Sequence, residues 1–77
     1  MNVEEIKMKG LEYANRFCAD NYDFIEEDKL KYNCKEWYLI IDLAQIYYNL
    51  KTNIITREEA KEQQKKSFEF ANRYYGE

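Results

Sequence analysis

A chain of 77 residues with 12 Lys and Arg against 15 Asp and Glu carries a formal charge of -3, and 45% of it is hydrophobic. The length allows one domain with a small core, the composition excludes a disordered chain, and the acidic balance argues against general polyanion binding, which needs a concentrated excess of Lys and Arg. With no histidine and only two glycines, the chain lacks the usual general base and metal ligand and the glycine-rich turns that cradle phosphates, so a non-enzymatic protein with no cofactor and no metal is expected.

The first helix is expected over about residues 3–19. Asn2 followed by Glu5 reads as a capping box, in which the Asn oxygen accepts from an early backbone N–H and Glu5 reaches back to the cap. Val3, Ile6, Gly10, Tyr13, Ala14 and Phe17 then recur at helical spacing, with Leu11 and Cys18 at the margin and Glu4, Glu5, Lys9, Glu12 and Arg16 on the other side. A glycine inside such a stripe costs about 1 kcal/mol against alanine, so Gly10 marks a close approach by a neighbouring helix or mere compositional drift.

An acidic connector follows. Asp20, Asp23, Glu26, Glu27 and Asp28 stand there without a basic residue among them, interrupted by Tyr22, Phe24 and Ile25. Asp23 with Glu26 can cap a short helical turn running towards Leu30, which leaves Phe24 and Ile25 to fold under as a plug. The five carboxylates form either an acidic contact strip or a solvated connector. The calcium-loop pattern fails for want of a glycine at the turn and of the right acidic spacing.

Asn33 and Glu36 repeat the capping box and open a second long helix over about residues 34–51. Thr52 and Asn53 close it, because Asn tolerates the left-handed conformation that ends helices, and Ile54 is expected to fold back on the last turn. Thr56 with Glu59 makes a third box, with Ile55 and Ala60 as a hydrophobic staple, and the last helix should run over about residues 57–75 and stop at Gly76. Glu58 with Lys61, Glu62 with Lys66 and Glu69 with Arg73 are spaced to pair along its surface. The expected fold is therefore all-α: a single domain over residues 1–77, a three-helix bundle with a partly helical acidic connector.

The second long helix carries an unusual share of apolar residues. On a wheel of about 100° per residue, Lys35, Asp42, Gln45 and Asn49 share one narrow strip, and the apolar arc sweeps roughly 220°, twice the ordinary stripe. One flank bears Trp37, Ile41 and Tyr48, with Tyr38 and Tyr47 close by. If the helix is central, its neighbours absorb this surface; if not, the five residues form a partner-binding face for another protein or a second copy, in which Trp and Tyr are favoured. A homodimer is expected. Two further readings stay open: a nucleic-acid regulator using Lys61, Lys65, Lys66 and Arg73, and a ligand cavity lined by Trp37, Tyr47, Tyr48 and Tyr74 that sequesters a nucleotide.

No apolar run of membrane-spanning length and no export leader stands in the sequence, so a cytoplasmic setting is expected. Cys18 and Cys34 match no CxxC spacing and read as reduced thiols, Cys34 lying where a helix dipole favours a thiolate.

From Lys35 to Tyr75 the chain resembles short helical proteins of unknown function carried by phages and mobile elements of low-GC Gram-positive bacteria. Those proteins show an aromatic-rich helix, a tight turn and the pattern I-[ST]-x-E-[EQ]-A-K, matched here by Ile55, Thr56, Glu58, Glu59, Ala60 and Lys61. Asn53 stands where they often have glycine. The resemblance implies a dispensable gene whose product binds and blocks a host factor, such as a defence protein. It assigns no catalytic residue.

Overall fold

A computed structural model describes residues 1–17 and 23–76. Within them the fold is all-α, with α1 Val3–Phe17, α2 Asp23–Asp28, α3 Cys34–Lys51 and α4 Arg57–Tyr74, and one 3-10 turn, Lys29–Lys31. Four helices thus replace the expected three. The extra one is the acidic connector, which forms a full helix because Phe24 is buried and Ile25 packs against the core, while Asp23 and Glu26 sit in its positively polarised first turn. Among the described residues, no helix is long and apolar enough to cross a membrane.

The caps act much as their residue types require. At α3 the Asn33 side chain accepts from the Glu36 N–H at 2.8 Å and the Glu36 carboxylate accepts from the Asn33 N–H at 3.2 Å. At α4, Thr56 and Glu59 make the same reciprocal pair at 3.2 and 3.1 Å. At α1, Asn2 accepts from the Glu5 N–H at 2.9 Å, but Glu5 accepts from the Asn2 side-chain amide rather than its backbone, so this box is half made.

Asn53 has a φ of 62°, and it closes α3 in a Schellman turn: its N–H donates to the Leu50 carbonyl, and the Ile54 N–H donates to the Asn49 carbonyl at 2.9 Å. Ile54 itself is 65% exposed and does not fold back; Ile55 takes that place against the core. The end of α4 also departs from expectation. Tyr75 is the C-cap, its N–H donating to the Ala71 carbonyl, and Gly76 has no positive φ.

Helix α3 is the middle of the molecule, with α1 packed on one flank and α4 on the other. The Cα trace spans 35 × 29 × 18 Å, the proportions of helices laid in a layer rather than a tight three-way bundle. The core runs along α3 through Leu39, Ile40, Leu43, Ala44 and Ile46, joined by Ile6 and Tyr13 from α1 and by Ala60 and Ala71 from α4. Fully burying one large apolar side chain is worth about 1.5–3 kcal/mol, and Tyr13, Leu39, Ile40 and Leu43 are the largest side chains so enclosed.

Gly10 sets how near α1 can lie. A Cβ built there would sit 2.9 Å from the Leu43 Cβ and 3.4 Å from the Ile40 carbonyl oxygen. Close approach, not compositional drift, explains this glycine. Val3, placed on the buried stripe by spacing, is instead exposed because the seam with α3 starts only at Ile6.

Replacing Gly10 with Ala sets a helix-propensity gain of about 1 kcal/mol against an overlap with a side chain fixed at its Cβ. The expected balance is a net loss of about 1–2 kcal/mol, measured as a lower urea midpoint with an unchanged slope. A rise in midpoint would show that α1 can back away from Leu43.

Candidate docking face

The five side chains expected to bind a partner divide into two groups. Trp37, Tyr38 and Ile41 are half-buried and line one groove on α3, whereas Tyr48 packs on Phe17 of α1 and Tyr47 turns into the α1 seam, its ring beside Gly10. Burial, with the charge of Glu4 adding to it, pushes the Tyr47 hydroxyl above its ordinary pKa. Tyr47 therefore belongs to the packing of α1 on α3 rather than to an outward face.

Helix α4 decides which part of α3 stays open. Its buried Ser67 hydroxyl donates to the Asp42 carboxylate and also lies 3.0 Å from the Gln63 carbonyl. Gln45 and Asn49 join by a 2.9 Å bond, and both line the groove between α3 and α4 with Gln63 and Lys66. The polar strip of α3 is thus the strip that α4 leans over. The Ser67–Asp42 bond ties α4 to that side, and the half-buried Trp37, Tyr38 and Ile41 border the groove beside it.

What remains open is a shallow groove of about 410 Å³ lined by Cys34, Trp37, Tyr38, Ile41, Asp42, Gln45 and Tyr75. Its walls are held by rings from three directions. Trp37 meets the edge of Tyr13 at 6.3 Å and stacks on Tyr32 at 6.2 Å; Tyr38 lies 5.1 Å from Phe70 and 5.4 Å from Tyr75. Tyr48 meets the edge of Phe17 at 6.5 Å. Such pairs add about 0.5–1.5 kcal/mol each beyond area burial, so these rings are braced rather than loose. Burial, and then the nearby charge of Asp42, raises the pKa of Tyr38.

The cavity imagined from Trp37, Tyr47, Tyr48 and Tyr74 does not gather. Trp37 lies by Tyr13 and Tyr32, Tyr47 by Gly10, Tyr48 by Phe17, and Tyr74 stacks 4.3 Å from Phe70 at the far end of α4. Spacing alone missed that last cluster. Phe70 and Tyr74 are one turn apart and exposed, which is the signal that was there to be read.

The acidic strip also divides. Asp20 lies outside the described residues; Asp23, Glu26 and Glu27 are at the surface. Asp28 points inward, accepting from the hydroxyl of the fully buried Tyr13 and pairing with Lys31, with the Arg16 guanidinium 4.0 Å away. Arg16 in turn lies over the rings of Tyr13 and Phe24, 5.5 and 4.8 Å from their centres. Asp28 is the anchor of α2, not a contact residue. Its partner explains the choice: a phenol buried in the core requires an acceptor, and a carboxylate is the strongest one available. Among the described residues, no group of three or more Cys, Asp or Glu is placed to hold a metal ion.

Cys34 is exposed at the start of α3, not packed, and Cys18 lies outside the described residues. Among the described residues the ion pairs lie on α1 and around Asp28 and Glu36, so the pairs expected along α4 are not formed. Lys61, Lys65, Lys66 and Arg73 are exposed, and only Lys66 and Arg73 line a common pocket, with Glu69 between them. Compared with protein-family models, curated proteins and solved structures, the chain finds no significant match.

The Asp28 anchor titrates. Hydrogen bonds from Lys31 first and then from Tyr13 hold its carboxyl below the ordinary 3.8. A carboxyl whose folded pKa is depressed stabilises the fold above its unfolded value and loses that contribution as pH falls through the folded value. Glu36, held low by the Met1 amine and the Asn33 N–H, adds to the same acid limb. Urea titrations from pH 7 down to pH 2 should show stability falling below about pH 4, with a smaller acid loss in Asp28→Asn than in the parent chain. An equal loss in both would remove Asp28 from the account.

Proposed function

We propose that this chain is a non-enzymatic protein-interaction module that docks a helix of a partner protein on the outward face of α3. One observation carries the reading: Cys34, Trp37, Tyr38 and Ile41, at positions i, i+3, i+4 and i+7 of α3, line one open groove together with Gln45. That spacing is the one at which a helix presents side chains to another helix. The braced rings add to this, because aromatic side chains already ordered lose little freedom on binding. The resemblance to helical proteins of unknown function carried by phages and mobile elements makes a host protein the first partner class to try, and an inhibitory outcome the first to measure.

A nucleic-acid reading has one observation in its favour, the exposed rings of Phe70 and Tyr74 beside Lys66 and Arg73. The formal charge of -3 weighs against it, and it calls for binding to single strands that weakens steeply with salt.

A photo-crosslinking amino acid placed at the exposed Gln45, on the rim of the α3 groove, should capture one protein in the native cell. The same group at Lys61 on α4 should capture none, and Ile41→Lys should cut the Gln45 adduct by about tenfold while the far-UV spectrum stays helical. Equal capture from both positions, or an adduct indifferent to Ile41, would refute the α3 face as the docking site.

A further inference from the structure

A second uncovered face lies on α1. Met8 and Leu11 are 67% and 47% exposed on the side turned away from α3, and they line one shallow depression with Met1, Glu4 and Asn15. On a helical wheel Glu4, Met8, Leu11 and Asn15 occupy a strip about 60° wide. Beside it, within about another 60°, run Glu5, Lys9, Glu12 and Arg16. Read along the helix, their signs alternate: minus, plus, minus, plus. Within one chain Glu12 already reaches Lys9 at 3.3 Å and Arg16 at 2.9 Å, so these side chains are ordered and extended at the surface.

That alternation is self-complementary in one orientation only. We infer that α1 is a homodimer face, on which a second copy of this chain packs its own α1 antiparallel about a two-fold axis near Gly10. In that arrangement Met8 meets Leu11 of the other copy, and Glu4 meets Asn15. On the flank, Glu5 faces Arg16 and Lys9 faces Glu12, each contact occurring twice by symmetry. All four pairs fall within about one residue of a single register. Turned parallel about a two-fold, the two charged flanks fall on opposite sides of the seam and none of these ion pairs is made.

The two components of the contact do different work. Affinity comes from removing Met8 and Leu11 of both copies from water, and Met suits such a seam because its unbranched chain adapts to an irregular surface. Orientation comes from the charges, since exposed ion pairs add little net energy whether made within or between chains. A contact this narrow is small beside standard interfaces, so the dimer belongs to the weak, concentration-dependent class. It leaves the outward face of α3 free, and a dimer would present that face twice.

Sedimentation equilibrium over a micromolar to millimolar range tests the proposal, with circular dichroism confirming the helical fold of each variant. The parent chain should show reversible dimerisation. Lys9→Glu and Glu12→Lys should each weaken it by about tenfold or more, since each places like charges opposite one another twice. An equimolar mixture of those two variants should regain parental affinity, because each Glu of one copy then faces a Lys of the other. Leu11→Glu should abolish association alone and in mixtures, while Ile41→Lys on α3 should leave it intact. A parent chain that stays monomeric at millimolar concentration would overturn the inference. So would single variants that dimerise like the parent, or a mixture that fails to recover.

Discussion

A helix with two neighbours has a side left over, and the docking proposal follows from which side of α3 that is. The α1 seam is drawn close by Gly10, which lets Leu43 and Ile40 meet the α1 backbone without an intervening side chain. On the other flank the choice is polar. Ser67 is buried and must satisfy its hydroxyl, Asp42 accepts from it, and α4 is thereby held over the hydrophilic strip of α3. With α4 tied to Asp42, the half-buried Trp37, Tyr38 and Ile41 are left bordering an open groove. Were α4 rotated to cover Ile41 and Trp37 instead, Ser67 would keep only the Gln63 carbonyl of its own helix, and Asp42 would lose its donor.

The acidic segment shows a related economy. Charge runs usually face water, yet here one carboxylate of the run is drawn in by a phenol. Tyr13 lies in the core with its ring against Phe24, 4.9 Å between centres, and its hydroxyl donates to Asp28. Arg16 and Lys31 then offset the charge that Asp28 brings with it. A six-residue helix has little stability of its own, so α2 exists because Phe24 fills space and Asp28 is fastened.

Much of this was legible in the chain. Capping residues mark their helices by local chemistry, so Asn33 with Glu36 and Thr56 with Glu59 placed two starts to the residue, and Asn53 marked the left-handed turn between α3 and α4. Periodicity also marked α3 as the apolar middle element, and the structure places it between α1 and α4. Three things could not. Val3 shares the apolar stripe of α1 yet ends exposed, because the seam with α3 starts only at Ile6, which nothing local encodes. Asp28 looks like its acidic neighbours until Tyr13 is known to lie beside it, a contact between residues far apart in sequence. Tyr47 shares the wheel with outward residues and is claimed by the closeness of α1 at Gly10, a distance that composition does not encode.

The junction where Tyr13, Tyr32 and Trp37 meet has an optical consequence. Trp37 is the single indole in the chain, wedged between the α1 ring that anchors α2 and a tyrosine just before α3, with one edge on the outward groove. Its emission therefore responds to two separate events, loosening of the α2 anchor and arrival of anything on the α3 face. The first wets the ring and moves the spectrum towards red; the second dries it and moves the spectrum towards blue. The molecule carries its own fluorophore at the one place where folding and docking can be told apart by colour.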